Sequence, residues 1–276
     1  MLREVERMEK GWISEGLIKR RSQFSTVIVY RTRDPKRISE YLKAVSDEFS
    51  EVYAYYIWKG LLKVRVRKEE IVYERITSTI PISIGGNIRS MEAALDYIDD
   101  VFGRMENVLF VIQAYRQNDA LIQALRAWMF DEGMYARGHT ITIFTEEPNL
   151  VLDDATLKYA ILIKIPPSTE EERKEILREV AKTTGSKVDG SMIHATAGLT
   201  LQETESVALE SIFRYGKLDA NVLVTYKYEI IRKAGVLDVE ESEFGFEAVG
   251  GYDAVKQFII DNVIRILREP EKAEKL

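Results

Sequence analysis

Thr26-Val-Ile-Val-Tyr30, then Asp34-Pro35, then Val52-Tyr-Ala-Tyr-Tyr-Ile-Trp58 decide the fold of this chain. The first segment is short, apolar and rich in β-branched residues, as a buried strand is. Asp34 and Pro35 supply an N-cap and a first helical position. Ile38, Tyr41, Leu42, Val45 and Phe49 then recur at helical spacing, which carries the helix to about Ser50. The aromatic run at 52–58 is a second strand, closed by Gly60. Strand, helix, strand in that order is the signature of a parallel α/β unit.

The pattern continues outward from this unit. Leu61 to Ile76 alternates apolar and charged residues in two stretches split at Arg67-Lys-Glu-Glu70, which predicts a hairpin decoration with one face in water. Pro81 to Asn87, containing Gly85-Gly86, reads as a loop. Ser90 caps a helix to about Phe102. Asn107-Val-Leu-Phe-Val-Ile112 is the most apolar strand and is expected at the centre of the sheet. A helix follows over about 118–132, then strands at His139–Thr145 and Tyr159–Ile165. Pro166-Pro167 ends the sheet. From there to about Gly235 no strand is legible. Helices are expected near 169–183, 188–197, 200–215 and 219–234. Ser168 or Thr169 opens the first of them, and Thr200 with Glu203 makes a capping box for the third.

Composition bounds the chemistry. The chain has 276 residues, 46% of them apolar and 30% charged, in the range of a globular protein with a sizeable core. Its net charge of −6 argues against binding nucleic acid or membrane over the whole surface. With no cysteine and two histidines, His139 and His194, thiol catalysis and Cys- or His-rich metal sites are excluded. No apolar run approaches the roughly 20 residues of a membrane helix. The charged N-terminus carries no signal peptide, so the expected address is the cytoplasm. The absence of cysteine beside abundant Glu, Lys, Arg and Ile leans towards a thermophile.

Four stretches resemble the AAA-type ATPase module. Ile165-Pro166-Pro-Ser-Thr-Glu-Glu-Glu-Arg173-Lys-Glu-Ile-Leu177 resembles the passage from that family's last strand into its helical lid. Ala197-Gly198-Leu-Thr200-Leu-Gln-Glu-Thr-Glu205 resembles a helix start within the lid. Tyr228-Glu-Ile-Ile-Arg-Lys233-Ala-Gly235-Val-Leu is similar to a stretch of the ycf-type AAA ATPases of chloroplasts, cyanobacteria and archaea. Members of that subfamily pair a degenerate N-terminal AAA-like domain with an active one. Phe246-Glu-Ala-Val249-Gly250-Gly251, the helix after it and Glu269-Pro270-Glu271 resemble the segment leading into the phosphate loop of an active module.

The resemblance implies an α/β fold with a five-stranded, mostly parallel, P-loop-NTPase-like sheet, the hairpin decoration and a small all-helical lid. The expected division is an N-terminal lead over 1–23, the degenerate AAA-like domain over 24–167, the lid over 168–235, and over 236–276 a linker with the opening of a following ATPase module. The sequence is expected to stop before the Walker A loop of that module, at an artificial boundary.

A nucleotide loop needs Gly-x-x-x-x-Gly-Lys-Ser/Thr, whose amides wrap the phosphates. Between Tyr30 and the helix stand Arg31-Thr32-Arg33-Asp34, with no glycine. Arg31 and Arg33 could touch a phosphate, but a tight strand-to-helix turn suffices for them. The central strand ends in Gln113-Ala114-Tyr115-Arg116, without the acids that would hold magnesium or orient water. Asp119 is expected to cap the next helix. Thr145 falls where the family places a polar sensor, and equally begins the turn Thr-Glu-Glu-Pro. Asp153-Asp-Ala-Thr-Leu-Lys158 holds a lysine where the family has an arginine finger, and lysine does not make the same bidentate contact.

No catalytic residue and no metal ligand are therefore assigned, and no cofactor is expected for this chain. ATP and magnesium belong to the complete parent. There Val249 and Gly250 would give adenine-side backbone contacts, as the resemblance implies.

Other candidates read as structural. Gly85-Gly86-Asn87 could cradle an anion but has no basic partner in sequence. Arg116, Arg126 and Arg137 alternate with Tyr115, Trp128 and Tyr135, a mixture able to bind single strands. Core aromatics with solvated arginines explain it as well, so nucleic acid is not favoured. The Asp-Asp pairs at 99–100 and 153–154 fit a helix end and a loop. The helix with Val255, Phe258, Ile259, Val263, Ile264 and Leu267 has an apolar face suited to packing on the missing module.

The expected function is a non-catalytic regulatory or assembly region of an AAA ATPase that remodels a macromolecular partner. Its expected partners are the C-terminal AAA module and further copies in a ring, with no membrane. The alternative is a clamp-loader-like scaffold of DNA replication, disfavoured by the Gly250-Gly251 segment.

Overall fold

The computed structural model describes residues 11–68, 70–76, 88–233, 245–246 and 249–264. The loop with Gly85-Gly86-Asn87, nearly all of the 236–245 linker, Leu267 and Glu269-Pro270-Glu271 lie outside the described residues. The chain divides into two units, Met1–Val224 and Thr225–Leu276.

In the first unit, α1 (Gly11–Ser22), β1 (Val27–Arg31) and α2 (Lys36–Val45) precede β2 (Glu51–Tyr56). A hairpin of β3 (Gly60–Arg67) and β4 (Glu70–Arg75) follows, then α3 (Met91–Arg104), β5 (Val108–Gln113), α4 (Asp119–Met129) and α5 (Glu132–Ala136). β6 (Thr140–Thr145), α6 (Asp154–Tyr159) and β7 (Ile161–Lys164) complete the sheet. Helices α7 (Glu170–Ala181), α8 (Gly190–Ala195) and α9 (Leu201–Tyr215) come next, and α10 (Ala220–Lys233) runs across the division. The described part of the second unit also holds α11 (Asp253–Ile259), which continues as a π turn over Ile260–Ile264.

The expected five parallel strands form one sheet, in the order β2-β5-β6-β1-β7. The hairpin is part of that sheet. β3 pairs antiparallel with β2, and β4 with β3, giving a seven-stranded mixed sheet that is mostly parallel. β5 lies fourth from either edge, the central position its apolar run predicts.

Two layers of helix cover the sheet. The side chains of β5 alternate, so Val108, Phe110 and Ile112 meet Leu95, Ile98 and Phe102 of α3 and Leu121, Leu125 and Trp128 of α4. Leu109 and Val111 point to the other face, against Trp12, Ile13 and Leu17 of α1 and Ile38, Tyr41 and Leu42 of α2. This is the period-two logic of a strand buried on both faces. α1, expected as part of a charged lead, is thus a core helix. Gly16 lets it lie on β1, since a Cβ there would sit 2.1 Å from the Tyr30 hydroxyl oxygen. That ring is held among Trp12, Tyr41 and Phe144 and has no room to swing away.

The cap readings hold locally, with two shifts of one residue. α2 begins at Lys36 with Pro35 at its N-cap, and Asp34 bonds the Lys36 amide from one residue further back. Ser90 accepts from the Ala93 amide, and Thr200 with Glu203 forms the capping box of α9. Thr169 with Glu172 forms another on α7. At α4 the cap is Asn118, which accepts from Leu121, and Asp119 stands in the first turn. The stretch 153–158 is mainly helix α6, which moves the start of β7 to Ile161.

His139 is structural. Its ring is fully buried beside Phe102, at 4.6 Å between centroids. Nδ1 accepts from the Val108 amide at 3.3 Å, which leaves Nε2–H to donate to the Phe102 carbonyl at 3.1 Å. That arrangement needs neutral imidazole. Burial, then the charge of Arg137, pulls its pKa down to about 4. Between about pH 6.5 and pH 4 the unfolded chain holds the extra proton and the folded chain does not, so stability falls as pH falls, by up to about 3 kcal/mol. Denaturant unfolding across this window is expected to show His139→Gln with a flatter pH dependence than wild type. Parallel curves would contradict it.

No described helix is long and apolar enough to cross a membrane.

Candidate functional site

In an open parallel sheet, ligands bind beyond the carboxyl ends of the strands, where the connections diverge to opposite faces. Here that point is β1 beside β6. The helix after β1, α2, lies on one face, while α3 and α4 lie on the other. A cleft of about 300 Å³ opens there, lined by Arg31, Arg33, Asp34, Lys164, Pro166 and Thr200 among others. Its floor is the β1–α2 turn and its wall is the start of α9.

The turn is tight and self-bonded. The Thr32 amide donates to the Thr145 carbonyl at 2.8 Å, and the Asp34 amide to the Thr32 hydroxyl at 3.0 Å. Arg31 makes a two-pronged contact with Glu147 at 2.9 and 3.1 Å, and Arg33 pairs with Glu146 at 2.6 Å. Both arginines stand largely in water, where such pairs contribute little to stability. They do neutralise the positive charge that a phosphate would need.

Asp34 is the centre of the site. It is 5% exposed, and its carboxylate bridges two helix beginnings. Oδ1 accepts from the Lys36 amide at 3.1 Å, and Oδ2 from the Leu201 amide of α9 at 2.6 Å. Helix N-termini present unsatisfied amides and a positive dipole end, the features that hold anions. Here the anion is supplied from within the chain. The neighbouring amides are also taken: Arg37 by the Asp34 carbonyl, Thr200 by Glu203, and Glu203 by Thr200.

Arg37, 2% exposed, lies one turn further along α2. It grips Glu172 of α7 through two hydrogen bonds of 2.7 and 3.0 Å and Glu40 through a third of 2.7 Å. Burial opposes the charge, but the bonds to Glu172 and Glu40 outweigh it and hold the guanidinium's pKa above its ordinary value. Glu172 simultaneously accepts from the Thr169 amide as half of the α7 capping box. Lys36 pairs with Glu205 of α9 at 2.9 Å. Helices α7 and α9 are therefore bolted to the β1–α2 turn and the start of α2 by Asp34, Lys36 and Arg37.

The remaining candidates disperse. Gln113 and Tyr115 do reach the β1 side, lining a second recess with Thr145 and Arg33. Arg126 is engaged with Asp153 and Thr156, and Trp128 is buried with its indole N–H donated to Asp99 at 2.8 Å. Arg137 donates to the Gly133 and Gly103 carbonyls. The Arg116–Arg126–Arg137 series is thus not one surface. The Thr156 hydroxyl, with Arg126, holds the Asp153 carboxyl below its usual range. His194 stands on the exposed side of α8. Among the described residues no group of three His, Asp or Glu is placed to hold a metal. Val249 and Gly250 lie in the second unit, both exposed, with the Val249 carbonyl accepting from Lys256 Nζ. The double role of Asp34 and the burial of Arg37 were missed by sequence reasoning. Asp-Pro signals a cap, but nothing local signals the partners, 167 and 135 residues away.

No protein-family model matches the chain, and no curated protein matches it in sequence. Among solved structures it is similar to a chain of the E. coli MS115-1 HORMA:CdnC:Trip13 complex, with TM-score 0.47 and 12% identity over 83% of this chain and 79% of that one. It is also similar to a single-residue variant of Thermotoga maritima RuvB, at 0.46 and 12% over 79% and 66%. C. elegans PCH-2 gives 0.47 and 10% over 82% and 70%.

Proposed function

We propose that residues 24–235 form a non-catalytic AAA-like domain with its helical lid, serving as a regulatory or assembly region of a larger ATPase. The observation that carries this reading is Asp34. Its carboxylate occupies the amides of Lys36 and Leu201, where a phosphate would be held. Three features support it: no glycine in the turn, no acid at the end of β5, and carboxylate partners on Arg31, Arg33 and Arg37.

In this reading ATP and magnesium act in a following module, over an adenine side to which Val249 and Gly250 contribute. Copies assemble in a ring in the cytoplasm, and the whole remodels a macromolecular partner. The region's part is mechanical. Helices α7 and α9, tied by Asp34, Lys36 and Arg37, move with the sheet as one piece and pass force without a nucleotide of their own.

Titration calorimetry with ATP and with ADP, in magnesium, tests this on the chain itself. The expected heat is that of dilution. Micromolar binding by this chain would overturn the reading, because a phosphate would have to displace Asp34 or use another site.

A further inference from the structure

We propose a binding site for a small zwitterion with an apolar body, an apolar amino acid or a short apolar peptide, in the cleft at the carboxyl ends of β2 and β5. It shares no lining residue with the cleft at the β1–α2 turn and does not depend on how that turn is read. β2 and β5 pair in parallel, with Tyr55 opposite Ile112 and Tyr56 opposite Gln113, so the segments that follow them emerge side by side. The cleft there measures about 440 Å³, within the span of about 300–1,000 Å³ usual for small-molecule sites.

Its walls are fixed by bonds that leave its own polar groups uncommitted. The Tyr55 hydroxyl donates to the Arg89 carbonyl at 2.9 Å. Ser90 and Asn118 accept from the amides of Ala93 and Leu121, and so set where α3 and α4 begin. On this frame Tyr55, Ile57, Met91 and Leu121 supply apolar lining. Glu92, Gln113, Arg116 and Gln117 line the same cleft. The side chains of these four make no hydrogen bond or ion pair among the described residues.

The charges decide the ligand. Glu92 stands in the first turn of α3, and Arg116 in the segment between β5 and α4. The Glu92 charge is felt inside the cleft, since it adds to burial in raising the Tyr55 pKa. One acid and one cation thus line one cleft without neutralising each other. A ligand that satisfies both brings an ammonium for Glu92 and a carboxylate for Arg116, each through a charge-assisted hydrogen bond. Gln113 and Gln117 each carry donors and an acceptor, which suit a peptide amide or the second carboxylate oxygen. The apolar lining takes the body of the ligand. A nucleotide would bring several negative charges to a single cation, with Glu92 opposing them. A neutral apolar ligand would leave both charges unanswered.

Titration calorimetry on the intact chain tests this with two probes, L-phenylalanine and the dipeptide leucyl-phenylalanine. Saturable binding in the millimolar range or tighter is expected for at least one, and the tighter of the two tells whether the site is built for a free amino acid or for a peptide. Each probe is then offered with its amine acetylated or its carboxylate amidated. Either block is expected to weaken binding by roughly tenfold or more, the worth of one hydrogen bond to a charged group. Glu92→Gln is expected to weaken the unblocked probe by as much and to leave the acetylated one unchanged. Arg116→Gln is expected to do the same with respect to the amidated probe. Both side chains are exposed, and thermal melts verify that the variants fold. No saturable heat from either probe, blocked probes that bind as well as unblocked ones, or a Glu92→Gln loss that persists with the acetylated probe would each overturn the proposal.

Discussion

Replacing Arg37 with alanine is expected to cost about 3–5 kcal/mol of stability, the range for breaking a buried ion pair by removing one partner. The guanidinium is 2% exposed, and its carboxylates on Glu172 and Glu40 are 14% and 25% exposed. Truncation removes the guanidinium that bridges two partly buried carboxylates and leaves a cavity where the arginine stem lay. Arg37→Lys is expected to recover part of the loss, since a point charge does not reproduce the two-pronged grip on Glu172. A double-mutant cycle of Arg37→Ala with Glu172→Gln isolates the coupling. Denaturant unfolding reads all three. A loss for Arg37→Ala below about 1 kcal/mol, the value of a surface pair, would show that the helical region is not fastened to the sheet through this residue.

Asp34→Ala is expected to cost about 2–4 kcal/mol, because two amides lose a charged acceptor and the Leu201 amide is left in a buried corner. Asp34→Asn keeps one carbonyl oxygen and is expected to fall between. The variant also probes the anion argument. With the carboxylate gone, the amides of Lys36 and Leu201 become an empty cradle at two helix beginnings. Phosphate stabilises most proteins non-specifically, so the informative quantity is the difference. Added phosphate is expected to raise the melting temperature of Asp34→Ala by more than it raises that of wild type. Equal increments would mean that Asp34 is a structural cap and nothing more.

These two residues mark where the sequence stops being legible. Asp34-Pro35 announces a helix start, and α2 does begin within one residue of it, at Lys36 with Pro35 at the N-cap, because capping is settled within one turn of chain. The same reason made Ser90, Thr169 and Thr200 readable. Asn118 displaced Asp119 as a cap by one residue, the scale on which local signals compete. The strands were visible because β-branched and aromatic runs leave few alternatives once both faces are buried. The six residues of α6 were not, since a single short turn of helix carries little periodicity.

Surface and core were harder to tell apart. Trp128, Arg126 and Arg137 looked like partners of Arg116 in sequence, yet they leave in different directions from α4 and the segment after α5. Tyr115 and Arg116 meet Ile57 instead, from another strand, because parallel pairing of β2 with β5 brings their ends together. A charged lead at 11–22 proved to be a core helix because Gly16 allows it to approach Tyr30.

The sequence by itself determined the kind and order of the strands and of the longer helices, the central place of β5, and the lack of a glycine loop after β1. Each of these is decided by neighbours along the chain. Tertiary structure alone decided that Asp34 takes the amides of both Lys36 and Leu201, that Arg37 is buried between Glu40 and Glu172, and that Ile57, Tyr115 and Arg116 line one cleft. The physical reason is that a charge is buried, satisfied or left in water according to what stands across from it in space, and those partners come from distant parts of the chain.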